Sequence, residues 1–227
     1  MTDIAIDILP HHYSDLYKSE SSDSPDKSRT ILIRKIREKV KSGIQKNSIL
    51  NIGSGPQSLE AQMLRNEDLK NSLFKNIEIL TLDIANIKFS NLMAQRRENL
   101  RNRANIFHTQ GSALNLPIAD NSVGLVISNH AIDFLPTKAF NEAYRILVPK
   151  GVAIFNFHHP SMISEDLNEI KNNNVREFWK YLRENNILFD SETRIRQTME
   201  GAGFIVNSVN INTDTRDKWW EVELTKP

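Results

Sequence analysis

Cysteine is absent from the 227-residue sequence. That excludes disulfides, thiolate metal sites and a cysteine nucleophile, and it accords with a reducing compartment. Glycine and proline are sparse, eight of each, so the places where they gather carry information. No apolar run approaches the roughly 20 residues of a membrane span. Neither sign of charge dominates: the formal net charge is +1, which gives no global argument for nucleic acid, a membrane surface or an acidic substrate. The opening stretch MTDIAIDILPHHYSDLY has acids, a proline and histidines where a signal peptide needs a basic start and an apolar core. A cytoplasmic location is expected. No carboxylates accompany the histidines at a ligand-like spacing, so no metal site is expected.

What is present is an ordinary soluble composition, 39% apolar and 25% charged, at a length that one α/β domain fills. A single domain over 1–227 is expected, with a helical extension over 1–45 and an insert over 161–193. Residues 19–28 are polar and turn-prone. The helix RTILIRKIREKV follows, with Asp26 or Ser28 as its cap and Gly43 as its end. Strand and helix patterns then alternate. NSILNIG is a strand, QSLEAQMLRNEDL a helix, NIEILTLDI a strand and NIKFSNLMAQRRENLRNRA a helix. NIFHTQGS and SVGLVISNH are strands, the second apolar enough to be buried on both faces. KAFNEAYRILVP is a helix and GVAIFNFHH a strand. This order argues for a parallel sheet with helices on both faces. After a largely helical stretch over 163–200, two strands joined by TDTR close the chain as an antiparallel hairpin.

The densest punctuation lies in ILNIGSGPQSLE, residues 49–60. Gly53 and Gly55 let the backbone bend sharply and approach a ligand. Pro56 suits the first turn of a helix, and the free N–H groups of a helix start offer a place for a ligand. A tight strand-to-helix turn with no ligand is the plain alternative. Asp83, at the end of the next predicted strand, sits beside this turn in a doubly wound sheet, where an acid accepts hydrogen bonds from a ribose diol. It also suits a helix cap. A nicotinamide dinucleotide fingerprint requires G-x-G-x-x-G or Ala, whereas the series here is Gly53, Gly55, Ser58, and a plain dinucleotide fold does not end in a hairpin.

At these residues the sequence resembles the class I S-adenosylmethionine-dependent methyltransferases, in particular their type 11 group. The resemblance runs from about Ile49 to Pro160 and from about Arg194 to the C-terminus. ILNIGSGP is similar to the family's first motif. GSALNLPIADNSVGLVISNHAIDFL, EAYRILVPKGVAIFNFHHP and the closing strands resemble the segments that follow, in order. The resemblance implies a Rossmann-like, seven-stranded, mostly parallel sheet with a C-terminal antiparallel hairpin and helices on both faces. It implies S-adenosyl-L-methionine as cofactor, and methyl transfer to a small-molecule or carrier-bound acceptor. By the same resemblance, Gly53, Ser54 and Gly55 approach the methionine moiety, and Asp83 and Ile84 hold the ribose and flank the adenine. Ser112 and Ala113 meet the adenine edge, and Asn129 and His130 line the floor near the reactive methyl. The sequence departs from the family pattern in five places. Asn51 replaces the acid that meets the cofactor ammonium, and Gln57 the third glycine. Ser112 and Gly124 each stand where an acid is usual, and Lys150 replaces the first of two glycines before strand five.

Candidates for a general base are His130, His158 and His159. His158 and His159 are neighbours on one strand, so alternation sends them to different faces. Each is equally compatible with a loop or capping role. Phe178, Trp179 and Tyr181 in the insert suit either an acceptor pocket or the core. The basic helix MAQRRENLRNR is interspersed with acid, so nucleic acid is not an expected partner. Three alternatives stay open: a methyltransferase fold that only binds, an RNA or protein methyltransferase, and a nicotinamide enzyme.

Overall fold

The computed structural model describes residues 27–55, 59, 63, 73–83, 105–162, 167, 173–213 and 218–227. Elements are numbered here in chain order. Helix α1 spans Lys27–Ser42, and strands β1 (Ser48–Ile52), β2 (Glu78–Asp83), β3 (Asn105–Gln110) and β4 (Val123–Asn129) follow. A one-turn 3₁₀ helix, Ile132–Phe134, leads to α2 (Lys138–Ile146) and the long β5 (Leu147–His158). A second such turn, Pro160–Met162, precedes α3 (Asn173–Glu184), α4 (Glu192–Gly201), β6 (Ile205–Asn212) and β7 (Trp219–Thr225). The helices expected over 57–69 and 86–104, the segment before Lys27, Ile84 and Gln57 lie outside the described residues. Within the first of these stretches, Leu59 and Met63 are buried.

The strands form one seven-stranded sheet in the order β3-β2-β1-β4-β5-β7-β6. β1 pairs in parallel with β2 and β4, β2 with β3, and β4 with β5. β7 runs antiparallel to both β5 and β6, as the hairpin reading required. The order reverses between β1 and β4, and their C-terminal ends open the crevice in which such sheets hold ligands.

Alternation along the strands divides the core into two layers. Leu50, Ile52, Val126, Phe155 and Phe157 face α2 and α4. Ile49, Ile79, Leu125, Ile127 and Ile154 face α1. Fully burying each such side chain contributes about 1.5–3 kcal/mol. A third cluster places α3, through Phe178 and Leu182, on Phe134 and Leu188, so part of the expected insert packs directly over the end of the sheet.

α1 is docked by charge as well as apolar contact. Lys35 Nζ lies 2.6 Å from Glu221 Oε1, and Lys39 Nζ 2.6 Å from Glu223 Oε1, both acids on β7. Ser28 is not the cap the sequence suggested. It lies inside the helix, 1% exposed, with its hydroxyl turned to the sheet. Gly43 does end the helix: its φ is +88°, and its N–H donates to Val40 O at 3.2 Å.

The predicted helix over 138–149 stops at Ile146, because the chain enters β5 at Leu147, which pairs with Val123. Lys226 Nζ covers the exposed carbonyls at this helix end, donating to Tyr144 O (2.9 Å), Arg145 O (3.3 Å) and Leu147 O (2.8 Å). A cation here also meets the negative end of the helix dipole. Gly124 has a reason to depart from the family acid. A Cβ on it would stand 2.1 Å from Lys46 O, so the backbone before β1 occupies the space a side chain needs. Lys150, where the family resemblance expects a glycine, takes a left-handed conformation with φ +61°. Relief of that strain outweighs glycine's added chain entropy, so Lys150→Gly is expected to raise stability by roughly 0.5–1 kcal/mol. A denaturant titration checks this; an unchanged or lower midpoint contradicts it.

Candidate active site

The site begins where β1 ends. Gly53 and Gly55 have φ of +69° and +58°, conformations that glycine adopts without steric penalty. Gly53 N–H and Ser54 N–H both donate to Leu82 O, at 2.8 and 3.2 Å. Gly55 N–H donates to Asp83 Oδ2 at 2.9 Å. Three successive turn amides are therefore used inside the protein; the helix start after Pro56 lies outside the described residues. A pyrophosphate needs such donors. A cationic ammonium, which needs acceptors, does not.

On its other side the turn is sealed by the segment after β4. A Cβ on Gly53 would stand 2.2 Å from Ala131 Cβ. Asp83, 8% exposed, stands at the C-terminal end of β2 beside Gly55. The sheet thus brings Gly53, Ser54, Gly55 and Asp83 together. Asn51 lies two residues back, buried on the α1 face in register with Thr81 and Ile127.

The segment 112–120 crosses the same end of the sheet and is held by α2. Leu116 N–H donates to Glu142 Oε2 at 2.7 Å. Arg145 donates to Ile118 O (2.8 Å), Leu116 O (3.0 Å) and Asp120 Oδ1 (2.5 Å), and pairs with Glu142. Ala113 is buried against the core. Ser112 Oγ accepts from Leu114 N–H at 3.2 Å, which shapes its own turn.

Arg145 above all, then the Leu116 amide, holds the Glu142 carboxyl below its ordinary value of 4.5, against the opposing effect of burial. A depressed carboxyl contributes stability above its unfolded pKa and loses it as pH falls through the folded value. The Leu116 amide is therefore expected to lose exchange protection as pH falls through that lowered value, before global unfolding. Hydrogen exchange against pH checks this, and Glu142→Gln should remove the step.

A polar row runs across β4, β5 and β7 on the α1 face. Asn129, Asn156 and Glu221 are in register. Asn156 Nδ2 donates to Asn129 Oδ1 at 2.8 Å, and Ser28 Oγ donates to the same oxygen at 3.3 Å. His130, the residue after β4, has φ +56°, and its Nε2 lies 2.9 Å from Ser28 Oγ. The start of α1 therefore closes on Asn129 and His130.

The two histidines ending β5 part as alternation requires. His158 turns to the His130 side, with ring centroids 4.4 Å apart, and His159 to Trp220, at 5.4 Å. His159 Nδ1 lies 2.8 Å from Ser161 Oγ. Burial, then the Lys218 charge, lowers its pKa from the ordinary imidazole value. His158 is bound to Asp133, a residue the sequence reading missed. The signal was an acid inside the apolar run AIDFL after β4. Phe178 is buried with Leu182, while Trp179 and Tyr181 are partly buried against the same cluster. Among the described residues, no group of three or more His, Asp or Glu side chains is placed to hold a metal ion, and no helix is long and apolar enough to cross a membrane.

With this geometry in place, the comparisons with known proteins converge. Residues 50–155 match the family described as "Methyltransferase domain". A S-adenosylmethionine-dependent methyltransferase from Aquifex aeolicus has a similar structure, with 15% identity over 96% of this chain and 98% of that one and a TM-score of 0.60. The N-methyltransferase NodS from Bradyrhizobium japonicum, in complex with S-adenosyl-L-homocysteine, covers 95% of this chain and 98% of its own, with 10% identity and a TM-score of 0.61. The [4+2]-cyclase SpnF covers 99% and 93%, with 12% identity and a TM-score of 0.59. No curated protein sequence matches the chain. Residues 50–155 thus match a methyltransferase domain, and the fold is shared with S-adenosylmethionine-dependent methyltransferases; the cofactor consistent with both is S-adenosyl-L-methionine.

The site's chemistry fits that cofactor. Among the described residues, a buried carboxylate stands beside a glycine turn whose amides at Gly53, Ser54 and Gly55 point inward.

Proposed function

We propose that the protein, as a single domain over 1–227, transfers the methyl group of S-adenosylmethionine to a small-molecule or carrier-bound acceptor. The observation that carries this reading is the tie between Gly55 N–H and Asp83 Oδ2 at 2.9 Å, which fixes the ribose acid against the glycine turn. The bound cofactor supplies an activated methyl group, so positioning supplies much of the catalysis. Gly53, Ser54 and Gly55 would hold its methionine part, Asp83 and Ile84 its ribose, and Ser112 and Ala113 its adenine edge. Asn51 would accept from the ammonium through its amide oxygen. Asn129, fixed by Asn156 and Ser28, would position the floor beside His130. The part of 161–193 that forms α3, packed on Phe134, would stand on the acceptor side. NodS, a neighbour of this fold named as an N-methyltransferase, accords with a small acceptor.

A second reading keeps the fold without methyl transfer. Asn51, and Gln57 in the sequence, favour it, and the cyclase SpnF has a fold of this kind. Incubation with S-adenosylmethionine and a low-molecular-weight cell fraction separates the two. Formation of S-adenosylhomocysteine above background, dependent on that fraction, is expected. Stimulation by an RNA or protein fraction alone would move the acceptor class; cofactor bound without turnover in any fraction would favour the second reading.

A further inference from the structure

A second polar centre stands at the end of β5, outside the glycine turn. Asp133, 2% exposed, accepts two hydrogen bonds at one oxygen, both from the same residue. His158 backbone N–H lies 2.7 Å from Oδ2, and His158 Nδ1 lies 2.9 Å from it. An ionised carboxylate oxygen can only accept, so with Asp133 ionised Nδ1 carries the hydrogen facing it. The neutral ring is thereby fixed in the tautomer whose Nε2 holds the lone pair. Nε2 has no hydrogen-bond partner among the described residues and is not among the atoms sealed from solvent, and the side chain keeps 10% of its surface open.

Asp133 Oδ1 behaves differently: it is buried with no partner. A purely structural acceptor for His158 would be better served by an asparagine, which has no negative charge to desolvate. A retained buried carboxylate suits a ring that must take up a positive charge. Around His158 the walls are aromatic. Phe134 stacks on it at 4.7 Å and 25°, Trp179 meets it edge-on at 5.4 Å, and His130 lies at 4.4 Å. Continuity with the cofactor turn is direct, since Ala131, next to His130, is the residue packed on Gly53.

We infer that His158 is the general base for an acceptor hydroxyl carried on an aromatic ring, and that Asp133 is its positioning residue. This inference rests on the methyl-transfer reading above. A hydroxyl is the class indicated because its proton stays on at neutral pH and must leave as the oxygen attacks. The aromatic walls match a planar acceptor body. In the step, the hydroxyl proton passes to Nε2 and the oxygen's electron pair forms the new bond to the methyl carbon. The carbon–sulfur bond of the sulfonium breaks with its pair going to sulfur, which leaves as a neutral thioether.

The test uses the full chain and a series of substituted phenols graded in acidity. S-adenosylmethionine binding is measured first by calorimetry, and its absence would overturn the underlying methyl-transfer reading. With the cofactor bound, methylation of the phenols is expected, with only a shallow dependence on their acidity. Asp133→Asn is expected to keep its oxygen in place, because the backbone N–H of His158 holds it. It should therefore retain the Nδ1–H tautomer in nitrogen-15 spectra while the turnover rate falls roughly 10- to 1,000-fold and the acidity dependence steepens. His158→Gln should show the same steepening. Cofactor bound with no phenol methylated, or an Asp133→Asn variant with an unchanged rate and acidity dependence, would overturn the assignment.

Discussion

Gly53→Ala is expected to weaken S-adenosylmethionine binding at least tenfold and to destabilise the fold by about 2–5 kcal/mol. Two effects add. The φ of +69° at Gly53 is a left-handed conformation, which costs an L-residue about 1–2 kcal/mol. The new Cβ would also stand 2.2 Å from Ala131 Cβ, and overpacking of this kind costs about 1–3 kcal/mol. Either the turn or the segment after β4 must move, and the two bound the crevice together. The steric half can be isolated. Ala131→Gly in the same chain removes the clashing carbon but not the backbone strain, so the double variant should recover about half of the lost stability. Denaturant titrations of the wild type, both single variants and the double variant check this. Additive losses with no recovery would mean that the glycine turn does not rest on Ala131.

The second large effect is at Asp83. Asp83→Ala should weaken S-adenosylmethionine binding by about 1–3 kcal/mol, or roughly 5- to 150-fold. It removes the acceptor for a ribose diol and also leaves Gly55 N–H without the partner it has at 2.9 Å. Adenosine, which has the ribose and lacks the methionine part, should lose affinity by a similar factor. Asp83→Asn separates the contributions, because its amide oxygen can still accept from Gly55 while the charge is lost. Titration calorimetry with both ligands is the measurement. Unchanged affinity for adenosine would remove Asp83 from the ribose site and shift the reading of β2.

The parts of this architecture written in local periodicity were legible in the sequence. The alternating strand patterns, the apolar run of β4 and the closing hairpin each depend on neighbours within a few residues, and each appears in the sheet. Asp83 beside Gly55 was legible because a doubly wound order places adjacent strand ends together. What was hidden depends on long-range packing. Ser28 read as a helix cap, yet its hydroxyl reaches Asn129, 101 residues on. Asn156 lies in an apolar strand and looks tolerated there. Only the register with Asn129 and Glu221 reveals a polar row. Asp133 drew no reading from the sequence, and only the approach of β5 makes it the partner of His158.

The departures from the family pattern divide on the same physical ground. Gly124 and Lys150 are accounted for by backbone geometry: one by the close approach of Lys46 O, the other by a left-handed φ. Asn51 bears instead on affinity. It is buried, and in the proposed binding mode its amide would offer the cofactor ammonium a hydrogen bond without charge. Such an exchange of acid for amide lowers affinity by about 1 kcal/mol or more and leaves the turn intact, since the amides of Gly53, Ser54 and Gly55 are held by Leu82 and Asp83.

The most direct measurement is calorimetric titration of the wild-type chain with S-adenosylmethionine, with NADH as the control dinucleotide. Saturable one-site binding of S-adenosylmethionine is predicted, with no heat from NADH, because the amides of Gly53, Ser54 and Gly55 are used inside the protein and the sequence lacks the dinucleotide glycine fingerprint. A folded protein that takes up NADH, or that gives no heat with S-adenosylmethionine up to about 1 mM, a limit near −4 kcal/mol of binding free energy, would contradict the account.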